Sequence, residues 1–304
     1  MAAYLPRLAL GAIAVTAICG CSLQHLVVDK VGDALARGGE AYASDPDLEL
    51  VGTASPFGLK LTESLLAESP AHRGLLLAAA RGFTQYAYAF VEMPADEIEQ
   101  HNVAAAHAAR ERARRLYLRA RDYGLRALDA AHPGFSSRLE RDPAAALASL
   151  REEDAPLLYW TAAAWGAAIS LGKDDAAMLS GLAPMRRMAS RALELDESYG
   201  QGAIHVLQMT LAMSEAQPDV VRLARAHTHF ESAVTLSAGL QAAPFVAYAE
   251  SICVPSARRD EFDRMLDRAL AIDAASAPAS RLSNELFQRR ARWLRSHADQ
   301  LFSN

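Results

Sequence analysis

The amino-acid sequence predicts an all-α protein, a stack of antiparallel helical hairpins. Alanine supplies 64 of the 304 residues, while glycine and β-branched residues are sparse, and that balance favours helix throughout. Caps, prolines and glycines divide the chain into about a dozen helices joined by short connections. Three helices also end on one shared pattern of small and bulky residues, spaced as successive hairpins would be. No segment has the alternation of a strand.

The first element is an export signal. Arg7 precedes an apolar run, Leu8 to Ile18, which is too short to span a bilayer as a permanent helix. The run ends in Ile18-Cys19-Gly20-Cys21, an aliphatic residue at −3, a small one at −1 and cysteine at +1. Residues 1–20 are therefore expected to be removed and Cys21 lipidated; the alternative is an ordinary secretory peptide with a coincidental cysteine. Two or three acyl chains hold firmly, because each buried methylene contributes about 0.8 kcal/mol and one chain alone holds marginally. The expected location is the periplasmic side of the cell envelope. Ser22, rather than an aspartate, favours the outer membrane over the inner.

Removing the signal leaves 284 residues, 21–304, read as a single all-helical domain with a core large enough to need no staples. Cys253 is then the one remaining unmodified thiol and cannot form an internal bridge. The signal takes one positive charge with it, Arg7, so the chain's net −5 becomes −6. With that charge and no long basic block, nucleic acid is not an expected partner.

Along the mature chain, Gln24–Tyr42 reads as the first helix. Asp45-Pro46 supplies a cap and a first-turn proline for a second helix reaching Leu66, with a kink expected at Pro56. Ser69-Pro70 repeats the signal before Ala71–Val91, where Leu75, Leu76, Ala79, Phe83, Tyr86 and Phe90 form one buried stripe. A long helix runs from Val103 to Ala131 and stops at His132-Pro133-Gly134. Residues 136–153 hold a short helix between loops, and Pro156 opens a strongly apolar helix to Leu171. Pro278 opens a last helix ending near Phe302.

The shared ending reads Met185-x3-Ala189-x2-Ala192-Leu-x-Leu-Asp196, then Ala226-x3-Phe230-x2-Ala233-Val-x-Leu, then Phe262-x3-Leu266-x2-Ala269-Leu-x-Ile-Asp273. Its alanines, 192, 233 and 269, are 41 and then 36 residues apart. In helical-hairpin arrays a small residue of this kind lets the paired helix approach, and a large one fills the groove. The pattern resembles tetratricopeptide repeats without their Trp-x2-Leu-Gly-x2-Tyr opening, so the fold expected is a tetratricopeptide-like array or superhelix. Ala113-x3-Tyr117-x2-Ala120 fits the same template inside a longer helix.

No catalytic constellation is present in the sequence, and neither a cofactor nor a metal is expected. His227 and His229 are two apart on a helix and point about 200° from one another, so they cannot share an ion locally. Neither His-Glu-x-x-His, Gly-x-Ser-x-Gly nor a glycine-rich phosphate loop occurs. The chain is read as a non-enzyme. Its aromatic residues, Tyr86, Tyr159, Trp160 and Trp165 among them, fill the core or line a cleft for an apolar or amphipathic ligand, and both readings stay open. Lys60, Arg81, His205, Arg281 and Asn284 are candidate polar partners, each embedded in an apolar helical stretch. Arg81 or Arg281 would pair with Glu63 or Glu285 in a structural role, or with a ligand carboxylate in a binding role.

Four stretches resemble the T component associated with TRAP transporters: Pro56-Phe57-Gly58-Leu59-Lys60-x2-Glu63-x-Leu65-Leu66, Leu158-Tyr159-Trp160-x4-Trp165, Gly202-x2-His205, and Arg281-Leu282-x-Asn284-x3-Gln288-x-Arg290-Ala291-x-Trp293-Leu294. The resemblance covers most of the mature chain and includes the lipoprotein signal. It implies a periplasmic, lipid-anchored protein working beside a solute-binding protein, the P component, in sodium-driven uptake of small organic acids or other hydrophobic ligands. It also implies a homo-oligomer, with a trimer among the arrangements open. A second reading is an envelope-assembly lipoprotein whose repeats bind protein or peptide partners. The few asparagines, Asn102, Asn284 and Asn304, favour it less.

Overall fold

A computed structural model describes residues 39–303 together with Lys30 and Gly32. The export signal, the lipidation position Cys21 and most of the expected first helix lie outside the described residues. Every regular element described is helical.

The chain enters as α1 (Gly39–Ala43) and α2 (Leu48–Glu68). The cap of α2 is Asp47, whose carboxylate accepts from the amides of Glu49 and Leu50 at 3.0 and 2.9 Å. Asp45, the expected cap, instead accepts from the Asp47 amide and shapes the turn before it. The helix continues through Pro56. Helix α3 (Arg73–Ala87) likewise starts later than Ser69-Pro70 suggests, because the His72 ring caps it by accepting from the Leu75 amide at 3.2 Å.

After α3 the helix does not stop; it widens. Tyr88–Glu92 form a π-helical turn before α4 (Met93–Ile98), and the Met93 amide bonds back to the Tyr88 carbonyl. Pro94 follows directly. It has no amide to give the Phe90 carbonyl and its ring would clash there in an α-helix, so an extra residue in the turn makes room. The same solution recurs at Ala249–Cys253, where the Val254 amide bonds to the Ala249 carbonyl immediately before Pro255.

Helix α5 (Val103–Ala131) is capped by Asn102 and ends where Gly134 turns left-handed at φ +73°. Two short helices follow in place of the single one expected, α6 (Phe135–Arg141) and α7 (Pro143–Ala148), divided by Asp142, which caps the second. Next come α8 (Ala155–Leu171), α9 (Ala176–Ser180), α10 (Leu182–Leu195), α11 (Ala203–Met213), α12 (Asp219–Leu236), α13 (Ala243–Tyr248) and α14 (Arg259–Leu270). Pro278 opens a 3-10 turn rather than the last helix, which is α15 (Arg281–Ser296), followed by α16 (Ala298–Leu301).

Helix α5 packs between α3 and α8, α8 packs on α10, and α11 on α12. Helices that pack after a connection of a few residues, as α11 and α12 do across 214–218, must run antiparallel. The sequence template explains these contacts. Ala113, Ala120, Ala189, Ala192, Ala226, Ala233 and Ala269 are buried, as are the bulky Tyr117, Met185, Phe230, Phe262 and Leu266 beside them. Burying each such large side chain contributes about 1.5–3 kcal/mol.

The core has two parts. One gathers side chains from Leu59 to Leu211, the other from Met209 to Ala298, and α11 serves both. Ile204, Leu207 and Leu211 face the first; Val206, Met209 and Met213 face the second. The two sets are offset by two residues, about 200° around a helix, so α11 is apolar on two opposite faces because protein covers both.

Candidate functional site

Helix α3 and its π turn carry one polar stripe, Arg81, Gln85, Tyr88 and Glu92, at successive intervals of four, three and four residues, which keeps them on one face. Helix α8 also packs on α3, and an aromatic group gathers there, one member of which, Tyr199, feels the charge of Arg81. The Tyr159 ring lies 4.9 Å from Trp160, edge-on, and 5.5 Å from Tyr199. Trp160 Nε1 donates to the Tyr199 hydroxyl at 2.9 Å. The turn that presents Tyr199 is tight: Gly200, Gln201 and Gly202 all have positive φ, and a side chain at Gly202 would meet the Ala233 backbone.

Tyr159 and Tyr199 are both partly exposed, yet burial pushes both hydroxyls above the ordinary phenol range. At Tyr199 the nearby charge of Arg81 partly offsets that push. Arg81 itself lies against the backbone of Gly39, where any larger residue would collide with its guanidinium.

Further along the stripe, Tyr88 meets Phe287 of α15 with ring centroids 6.0 Å apart. Glu92 accepts a short hydrogen bond from the buried Tyr117 hydroxyl. Arg290 of α15 joins the group: its Nη2 is 2.8 Å from Asp96 Oδ2, and its Nε donates to Glu250 at 2.8 Å. Glu92 and Glu250 sit one in each π turn. Burial raises the pKa of both carboxyls, and the neighbouring Asp96 raises them further; the Tyr117 hydrogen bond at Glu92 and the Arg290 charge at Glu250 offset only part of this.

The structure thus brings Tyr159 and Trp160 together, with Arg81 near enough to act on the Tyr199 hydroxyl beside them, and places the other candidates elsewhere. Lys60 has a side chain 70 % exposed on α2 and pairs with Glu63 at 2.8 Å. Glu63 also takes Arg119 and the Tyr123 hydroxyl, so it is not the partner of Arg81 or Arg281. Tyr86 stacks with Phe90 and accepts from Arg112 at 3.3 Å. Trp165 fills the space left by Gly181, with Arg121 over its ring. His205 is buried, 2.9 Å from His229 Nδ1 and 3.0 Å from Glu197. Arg281 has a buried Nε with no hydrogen-bond partner among the described residues. Asn284 is fully buried; its Oδ1 accepts from the Ala242 amide and its Nδ2 donates to the Leu240 carbonyl, both at 2.9 Å.

Sequence reasoning raised Tyr88 only among the aromatic residues that could line a cleft, missed Glu92, Tyr199 and Glu250 as site residues, and met Arg290 only as part of a motif. A signal for Glu92 and Glu250 existed: each stands before a proline inside an apolar helix, where a charge needs a partner. Among the described residues no three metal-ligating side chains gather, and no helix is long and apolar enough to cross a membrane.

A family model described as TRAP transporter T-component matches residues 44–302. A protein of Treponema pallidum (strain Nichols), described as uncharacterized, is 33% identical over 301 residues, covering 93% of each chain.

Proposed function

Because the chain belongs to the TRAP transporter T-component family, an accessory family of an envelope transport system, we propose that it acts as a lipid-anchored subunit that binds a periplasmic solute-binding protein and holds an apolar or organic-acid ligand. The observation that carries the ligand reading is the grouping of Tyr159, Trp160 and Tyr199 within reach of the charge of Arg81. Rigid rings with one cation suit a molecule that has an apolar body and an acidic end. In this reading residues 1–20 are removed, Cys21 carries the acyl chains, and residues 21–304 work as one unit because α11 belongs to both halves of the core. The role is binding and scaffolding rather than catalysis, and the protein assembles with copies of itself, a trimer being one such arrangement.

The test mixes residues 22–304 with the solute-binding protein encoded beside the same permease, with and without the transported solute. Co-elution under either condition supports the reading, and separate elution under both rejects the partnership. Labelling cells with radioactive palmitate tests the anchor: label on the wild type but not on a Cys21→Ser variant is expected.

A further inference from the structure

The two halves of the core are joined in two different ways. On one side they share α11, whose opposite faces are both apolar, so the junction is continuous hydrophobic packing. At the other junction α15 packs on α1 and α2, and where α4 meets α15 and α16 the contacts are polar: Arg290 binds Asp96, Arg289 binds Glu97 at 2.8 Å, and Gln100 meets Gln300. Among the described residues, Tyr88 against Phe287 is the one ring contact across it. Residues about 190 positions apart in sequence therefore join the two halves a second time, through charges. The rim pair is wet, since the Arg289 side chain is 48 % exposed and that of Glu97 26 %.

These two joins differ in what opening them requires. Separating apolar faces exposes surface to water at full cost, whereas separated ions and amides are taken up by water with little net loss. Both π turns lie at the polar join, and single π turns inside α-helices are frequent at functional sites. We infer that the two halves part along the Asp96–Arg290 and Glu97–Arg289 seam, with α11 as the hinge and α15 leaving α1 and α2 as it does so, and that this opening admits ligand to the stripe that carries Arg81 and Tyr88. The route rests on the ligand reading above; the opening does not.

The test is charge reversal in the full-length protein. Glu97→Lys and Arg289→Glu each place like charges at the rim, and the double variant E97K/R289E restores attraction with the signs exchanged. Amide hydrogen exchange is measured in α4, α15, α5 and α8, together with the rate at which dansylaminoundecanoic acid becomes fluorescent on binding. Each single variant is expected to speed exchange in α4 and α15 about three- to tenfold, to leave α5 and α8 unchanged, and to speed probe entry alike. The double variant returns both to the wild-type values. Unchanged exchange in α4 and α15, or equal acceleration in all four helices, overturns the seam. If the exchange pattern appears but no variant binds the probe, the opening stands and the ligand reading falls.

Discussion

Gly124 of α5 faces Thr161 of α8 so closely that a Cβ on Gly124 would stand 2.0 Å from the Thr161 hydroxyl oxygen. The two helices touch backbone to side chain here, with Ala120 and Ala127 buried a turn away on α5. Gly124→Ala is expected to destabilise the protein by about 1–3 kcal/mol through overpacking, although alanine is the better helix former. Shortening the opposite residue with Thr161→Ala should recover part of that loss. Urea denaturation of the two single variants and the double checks it: additive losses would show that the residues do not meet.

Asp154 anchors the start of α8. Its side chain is fully buried and accepts from Arg73 at 2.7 Å, from the Arg151 amide at 3.0 Å and from His132 at 3.0 Å. Burial alone would raise its pKa; the Arg151 amide, His132 and Arg73 together outweigh that and lower it. The folded protein thus holds this carboxylate charged where the unfolded chain begins to take up a proton. Its stabilisation is present above the ordinary value of 3.8 and is lost as pH falls below it. Asp154→Ala should cost about 3 kcal/mol at neutral pH. Asp154→Asn should flatten the acid limb of a melting-temperature profile taken across that window.

Glu250 gives the opposite sign. Its pKa is raised by burial, with Arg290 offsetting only part, so the folded protein keeps a proton that the unfolded chain has released. Stability therefore declines as pH rises from the ordinary glutamate value of 4.5 towards the raised folded value. Glu250→Gln keeps the shape and an acceptor for Arg290 while removing the titration. The variant's melting temperature should not fall across that pH window as the wild type's does. An identical profile for both proteins would show that Glu250 ionises normally.

Trp160 and Tyr199 offer a check on the aromatic wall. Trp160→Phe preserves most of the ring and removes the donor to Tyr199, a loss of about 1 kcal/mol in stability. The same change should weaken binding of an amphipathic acid and abolish most of the tryptophan quenching seen on its addition. Asn284→Ala is the contrasting variant. It strands the Ala242 amide and the Leu240 carbonyl, so a loss of about 2 kcal/mol in stability is expected with affinity unchanged. Calorimetric titration beside thermal melts separates the two outcomes.

The sequence by itself determined the fold class, the extents of helices such as Val103–Ala131, and the small residues at which helices approach. Those features depend on a residue and its neighbours three or four positions away, and Ala192, Ala233 and Ala269 repeat that local pattern openly. The four resemblance stretches likewise pointed to the family that the comparisons show. Within the candidate site, Arg81, Tyr159 and Trp160 were legible because a charge or an exposed ring in an apolar helix is conspicuous. Only the tertiary structure decided that the two rings gather with Tyr199, that His205 and Asn284 are used up by buried hydrogen bonds, and that α15 returns to α4. An ion pair such as Arg290 with Asp96 leaves no periodic trace in the chain. Any of the chain's 31 basic residues could in principle have met any of its 36 acidic ones, and the choice fell to how the helices pack together.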